Sequence, residues 1–320
     1  MRVTRRPACV VGPTIQSPAP LDSYFISSPG HVRMDGVAAP LVTPFTEDGD
    51  VDEPALADLV GWLEARGIDF LVPCGSTSEA ELLTADERVR VIETVADAAS
   101  VPVLAGTGSP GYRETRAATD AAATAGADAA LVVTPYYYPH DQSALADYYR
   151  DVADAAPIPV YLYSVPVFTN VRLTPDTAAA LADHPNVAGM KDSSGDIGSF
   201  VRLVRGTADA DFDPVVGNAA VFSQALAAGA TGGILALANV APEVAAEIYD
   251  VASRDPDDAR RLNAEVVALN RAVTSEFGIP GLKYAMRQRG APAGHARSPH
   301  RPPDAAARER LDSLVESLPE

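Results

Sequence analysis

The sequence predicts an α/β chain folded as a (β/α)8 TIM barrel with additional C-terminal helices. Three observations predict it. Short apolar or β-branched runs alternate with helical patterns from Gly36 onward. Eight such strand–helix units follow one another at steady spacing, and together they fill ~250 residues, the usual size of this barrel. An open, doubly wound sheet is the competing architecture, because alternation alone does not establish closure.

Residues 37–42 form the first strand and 53–66 the helix after it, which Gly67 stops, glycine closing helices without steric cost. The second strand, 70–73, leads to a helix over 86–98. Its start is marked by Thr84-Ala85-Asp86-Glu87, a capping box in which hydroxyl and carboxylate each take an orphan backbone N–H. The third strand, 103–105, precedes a helix over 113–125 stopped by Gly126, and the fourth, 129–133, a helix over 143–155. The fifth is 160–163. The sixth, 187–191, is followed by a helix over 196–205; the seventh is 214–216 and the eighth 233–235. The uncharged stretch 214–242 is long enough to span a bilayer. Asn218, Gln224, Gly229, Gly232, Gly233 and Asn239 interrupt it, so it reads as strand–helix–strand. Three further helices, around 257–277, 282–289 and 304–318, exceed what a barrel needs and are expected to pack on its side or mediate assembly. The expected organisation is therefore a barrel over 34–252 and a helical extension over 253–320. Residues 1–33 are expected to be a disordered extension, or a mis-assigned start ahead of Met34.

The chain has a net charge of −18 and a pI near 4.6. That balance argues against nucleic acid, whose phosphates would be repelled, and against anionic membrane surfaces. Spread acidity with arginine in place of lysine fits a halophile, although GC-rich coding would also enrich arginine. Arg2, Arg5, Arg6 and Arg33 against Asp22 leave residues 1–33 at +3, so the −18 of the whole chain puts −21 on the rest. Arg5-Arg6 suggests twin-arginine export. The apolar run Ala8-Cys9-Val10-Val11 is cut off by Gly12-Pro13, however, well short of the ~7–15 residues a signal peptide needs. Cys9 and Cys74 make no disulfide framework, which fits a reducing, cytoplasmic setting.

Only two of the 25 basic residues are lysine. Lys283 lies in an amphipathic stretch and is read as anchoring a late helix. Lys191 closes the run Val187-Ala188-Gly189-Met190. Arginine replaces lysine as a surface cation, but it cannot be deprotonated to attack a carbonyl. By position alone a surviving surface lysine is the blander reading. Against it, chemistry in a barrel gathers at the C-terminal strand ends. There the sequence places Thr43-Pro44, Gly75-Ser76-Thr77, Tyr136-Tyr137, Tyr163, Lys191 and Gly217-Asn218.

A neutral lysine amine attacks a ketone to form an imine, which draws electrons from the adjacent carbon. Neutrality near pH 7 requires lowering the ordinary pKa of ~10.4 by about 3 units, which burial beside an apolar strand supplies. A nearby tyrosine can shuttle protons to the carbinolamine. The N–H and hydroxyl groups of Gly75, Ser76 and Thr77 suit a substrate carboxylate. Together these groups describe a small 2-keto acid held by its carboxylate and activated as a Schiff base, with no cofactor. No metal is expected either, since His31, His140, His184, His295 and His300 are scattered without ligand spacing. Gly106-Thr107-Gly108-Ser109-Pro110-Gly111 matches a dinucleotide fingerprint. It follows the third strand, though, and Asp128 falls at the wrong end of the next, which disfavours a nicotinamide enzyme.

From Gly36 to Gly290 the segments APLVTPFTEDGDVD, PCGSTSEAELLTADER, VLAGTG, VVTPYYY, YLYSVP, GMKDSSGD and GGILALANV stand in order. In them the chain resembles the dihydrodipicolinate synthase / N-acetylneuraminate lyase family of class I pyruvate-dependent aldolases. The resemblance implies Lys191 as Schiff-base lysine and Tyr163 as acid–base phenol. It implies Ser76 and Thr77 as the carboxylate and proton-relay pair, and Ile234 in the pyruvate pocket. Tyr137 would complete the relay from a neighbouring subunit, which implies a homo-oligomer, usually a tetramer of tight dimers.

Departures bear on the substrate. The lysine-biosynthesis synthase of this family has an arginine for the aldehyde's carboxylate two residues past the proline of its YNVP-type segment. Here that position is Phe168, which disfavours 4-hydroxy-tetrahydrodipicolinate synthesis. Asp192-Ser193-Ser194-Gly195-Asp196 looks like members that cleave keto-deoxy sugar acids and brings Ser193 to the substrate. Ser78 replaces the usual glycine and is expected to reshape the pocket floor. The expected activity is reversible cleavage of 2-keto-3-deoxygluconate or its 6-phosphate to pyruvate and glyceraldehyde or its phosphate, an Entner-Doudoroff step of carbohydrate metabolism. Arg172, His140 and Arg113 are the candidates for a phosphate. A dehydratase on the same scaffold is the alternative.

Overall fold

Each of the eight expected strands is present, and all pair in parallel. They are β1 (Gly36–Ala39), β2 (Phe70–Leu71), β3 (Leu104–Gly106), β4 (Ala129–Val133), β5 (Val160–Ser164), β6 (Val187–Asp192), β7 (Asp213–Val216) and β8 (Gly232–Ile234). The computed structural model describes residues 33–319. The hydrogen-bonded order is β2-β1-β8-β7-β6-β5-β4-β3, and a parallel bridge between Leu71 and Val103 joins the two outer strands. Sequential neighbours on both sides, joined end to end, make a nearly closed barrel, and the open doubly wound sheet is thereby excluded.

Several strands end earlier than expected, and proline explains the first. Pro40 has no N–H to donate, so β1 loses its regular ladder there. The chain still runs along the wall, with Leu41 N–H donating to the Val72 carbonyl at 3.0 Å.

Strand side chains alternate between two cores. Phe70, Leu104, Leu131, Tyr161, Tyr163, Val215 and Ile234 fill the barrel interior. Val37, Leu71, Val132, Leu162 and Val216 face outward onto helical Leu59, Leu63, Val95 and Phe222. At the N-terminal end of the barrel, the Asp213 carboxylate accepts from Tyr161 Oη at 2.6 Å, Arg33 Nη2 at 2.8 Å and the Met34 N–H at 3.3 Å. Of the expected 1–33 extension, only Arg33 falls within the described residues.

Part of the acidic excess caps helices. The carboxylates of Asp52, Asp141, Asp196, Asp255 and Asp304 each accept the N–H three residues on. Thr84 and Glu87 form the expected capping box, Glu87 N–H to Thr84 Oγ1 at 3.2 Å and Thr84 N–H to Glu87 Oε2 at 2.8 Å. The stretch 214–242 folds as β7, the helix Phe222–Ala228 and β8. Among the described residues, no helix is long and apolar enough to cross a membrane.

The late helix expected over 257–277 divides into an α-helix, Pro256–Arg271, and a π-helical turn, Ala272–Glu276. It is followed by Gly278–Gln288 and Ala305–Glu316. The C-terminal layer packs over the C-terminal ends of the strands as well as the barrel's side. His295 N–H donates to the Phe45 carbonyl at 2.8 Å, just past β1.

Candidate active site

Lys191 and Tyr163 are register partners on β6 and β5, so the pleat sends both side chains inward at the same height. Lys191 is 4% exposed and Tyr163 5%. The Lys191 Nζ stands 4.3 Å from the centre of the Tyr163 ring. A buried amine against a phenol face is placed for nucleophilic attack with a proton carrier at hand. Asp192, next along the strand, faces away from the barrel interior, where its carboxylate accepts the Ser194 N–H at 2.8 Å and burial raises its pKa.

Gly217, just past β7, leaves room for Ser193 and, beside it, for the lysine stem. A Cβ there would lie 1.9 Å from Ser193 Oγ and 3.0 Å from Lys191 Cε. Ser193 Oγ in turn donates to the Gly217 carbonyl at 3.4 Å. Ser193 is therefore brought beside the lysine, at the join of β6 and β7.

The loop after β2 is bracketed by two non-glycine residues in the left-handed region, Cys74 at φ 57° and Glu79 at φ 56°. Such backbone is held only where its surroundings over-determine it. Here Ser78 does the holding. Its hydroxyl donates to the Leu41 carbonyl at 2.5 Å and accepts the Gly75 N–H at 3.2 Å, and its carbonyl accepts from Thr43 Oγ1 at 2.8 Å. Ser78 is fully buried and acts on the pocket through the loop it pins. The turn Ser76–Ser78 leaves Ser76 and Thr77 half-buried. Cys74 is buried, which pushes its thiol up to about 12 and leaves it unreactive.

A cavity of about 310 Å³ opens over this end of the barrel. Of the sequence-predicted site residues, Gly75, Ser76, Tyr163 and Phe168 line it, whereas Lys191, Thr77, Ser193, Ile234 and Tyr137 do not. Ile234 ends β8, 1% exposed, packed with Tyr163 and Val165. Phe168, in the short helix Pro166–Thr169, is 68% exposed at the rim. Tyr137 is 84% exposed with φ 79°, its ring edge-on to Tyr138, so the single chain does not bring it to the lysine. Tyr136 turns back, donating to Glu81 Oε2 at 2.5 Å. Of the phosphate candidates, Arg172 is paired with Asp196 at 3.0 Å, and neither it, His140 nor Arg113 lines the cavity.

Sequence reasoning missed the C-terminal contribution. Ile279, Pro299 and His300 line the cavity, more than 200 residues beyond the loop they face. The link is Glu79, whose side chain is fully buried. Its Oε1 takes Lys283 Nζ at 2.5 Å, and its Oε2 takes the Arg297 N–H at 3.0 Å and His300 Nδ1 at 2.7 Å. Lys283 also donates to the carbonyls of Thr43 and His295, at 2.6 and 2.7 Å. Burial lowers the Lys283 pKa to about 8, against the opposing pull of Glu79. The one available signal was composition, since the second of two lysines at an apolar helix position needs a buried acid.

Known proteins match this architecture. The sequence pattern of the dihydrodipicolinate synthetase family covers residues 33–318. A 4-hydroxy-tetrahydrodipicolinate synthase from Haloarcula marismortui is 40% identical over 270 residues, 84% of this chain and 88% of the relative. The crystal structure of a chloride-inhibited dihydrodipicolinate synthase from Acinetobacter baumannii with pyruvate superposes with a TM-score of 0.86 at 34% identity, covering 89% of this chain and 99% of that one. YagE, a prophage protein of the same family from Escherichia coli K12, also solved with pyruvate, gives 0.85 at 30% identity over 90% and 99%.

Proposed function

The chain belongs to the dihydrodipicolinate synthetase family, lyases of the class I pyruvate-dependent aldolase type, and on that premise we propose that Lys191 joins pyruvate to an aldehyde through a Schiff base. The Lys191 amine attacks C2 of pyruvate, and Tyr163 carries the protons that let the carbinolamine lose water. The imine withdraws electrons from C3, which gives up a proton and attacks the aldehyde carbon; water then releases the product from the lysine. Ser76 and Thr77 hold the pyruvate carboxylate, while Ile234 and Ser193 shape the space around its methyl carbon. Tyr137 of a second copy completes the proton path, making the working enzyme a homo-oligomer. The observation that carries this reading is the buried Lys191 Nζ 4.3 Å from the Tyr163 ring.

The names of the relatives support 4-hydroxy-tetrahydrodipicolinate synthesis as the specific reaction. Removing pyruvate from that seven-carbon product leaves a four-carbon amino-acid aldehyde, aspartate 4-semialdehyde. The keto-deoxygluconate reading has no support among those names and stands second. One observation favours it: Phe168 at the cavity rim, where a carboxylate-bearing aldehyde calls for a cation. Borohydride reduction in the presence of pyruvate tests the common step, and should fix a pyruvate-derived mass on Lys191. Product analysis with pyruvate plus aspartate 4-semialdehyde, against cleavage of 2-keto-3-deoxygluconate and its 6-phosphate, then separates the two reactions. A protein that traps no pyruvate refutes both.

A further inference from the structure

We infer that His300 selects the aldehyde partner, its Nε2 accepting a hydrogen bond from a hydroxyl or ammonium donor that the aldehyde carries. This rests on the pyruvate–aldehyde reading above and names which aldehydes that site prefers. Place comes first: His300 lines the same cavity as Ser76, Tyr163 and Phe168 and is about one-third exposed. It reaches the cavity from the C-terminal layer, while Tyr163, whose ring faces the Lys191 amine, reaches it from β5.

Orientation follows from its buried neighbour. Glu79 Oε1 accepts from Lys283 Nζ and Oε2 from the Arg297 N–H, so the carboxylate meets His300 as an acceptor. The ring proton therefore sits on Nδ1, 2.7 Å from Glu79 Oε2. In the neutral imidazole this leaves Nε2, on the opposite flank, a bare acceptor. Among the described residues, Nε2 has no hydrogen-bond partner. Glu79 is itself clamped by Lys283 and the Arg297 N–H, so the ring is held ready and little ordering remains for binding.

The surrounding charges point the same way. The ionisable carboxylates on the cavity wall are Glu79 and Glu81, and no lysine or arginine lines it. With no cation on that wall to take an anionic group, His300 Nε2 is left to meet a donor. The donor can be the hydroxyl of a hydroxyaldehyde or the ammonium of an amino-aldehyde, and paired substrates distinguish them.

The test uses full-length enzyme and two matched pairs: glyceraldehyde against propanal, and aspartate 4-semialdehyde against succinate semialdehyde. His300→Phe and His300→Leu remove the acceptor with different bulk, so one folded variant suffices; His300→Gln restores an acceptor. For whichever donor-bearing aldehyde the enzyme uses, loss of one hydrogen bond should lower kcat/KM roughly three- to tenfold. The donor-free match should be unchanged, and His300→Gln should recover part of the loss. Pyruvate trapping by borohydride should persist in every variant. Equal loss on both members of a pair, no loss on either, or a folded variant that no longer traps pyruvate overturns the inference. Absence of trapping in the unmodified enzyme strikes the pyruvate reading instead.

Discussion

Lys283→Met should destabilise the protein by about 3–5 kcal/mol, the loss expected when one member of a buried ion pair is removed and the other stays. Lys283 is 1% exposed and the Glu79 side chain 0%. Methionine keeps most of the aliphatic stem, so the change isolates the ammonium. Its loss strands the Glu79 carboxylate with two donors and leaves the carbonyls of Thr43 and His295 without theirs from Nζ. The assay is urea unfolding at fixed protein and fixed potassium chloride concentration, urea being uncharged and protein concentration affecting any oligomer. The double variant Glu79→Gln/Lys283→Met should be less damaged than the two single losses added together. The pH dependence has a definite sign. The folded pKa of about 8 lies below the ordinary 10.5, so between them the unfolded chain binds more protons, and stability rises with pH. Below about pH 8 both states hold the proton and the burial penalty is present in full. The wild-type advantage over Lys283→Met should therefore grow from pH 8 toward 10.5. A loss under about 1 kcal/mol, or a difference that falls across that window, refutes the assignment of this pair as a buried structural clamp.

Lys191→Ala should abolish pyruvate trapping while leaving the melting temperature within a few degrees of wild type; a trapped adduct in that variant removes the lysine from the mechanism. Gly217→Ala forces a methyl to within 1.9 Å of Ser193 Oγ and should lower kcat/KM at least about tenfold by moving the lysine's neighbours, read from single-turnover trapping rates. Glu87 is held down to about 2 by the Arg297 guanidinium, so its contribution is full above the ordinary 4.5 and fades as pH falls toward 2. Melting curves between pH 5 and 3 should show a shallower acid loss for Glu87→Gln than for wild type.

Strand and helix order was readable because the apolar period switches between 2 and 3.6 at each glycine or capping residue, as at Gly126 and Thr84. Closure was not readable from pattern, since it rests on Leu71 meeting Val103, a pairing that periodicity does not encode. Lys191 and Tyr163 stood out because each ends a buried strand, and neighbouring parallel strands bring such ends together. The hydrogen bonds of Ser78 were not readable, because nothing local shows that its hydroxyl turns to Leu41. His300 and Lys283 were illegible as site supports, because the partner that gives them meaning, Glu79, is more than 200 residues away. Tyr137 carries no such local signal: its ring stands exposed, edge-on to Tyr138.

The wall of this cylinder is uneven around its girth. Between β5 and β6 the backbones stay zipped through to Ser164 and Asp192, the stretch that carries phenol and amine. Between β2 and β3 the stitching thins to the Leu71 and Gly106 amides, each 2.9 Å from a proline carbonyl, beside the turn that carries Ser76 and Thr77. Any give in the ring is thus concentrated beside that loop and away from Lys191 and Tyr163.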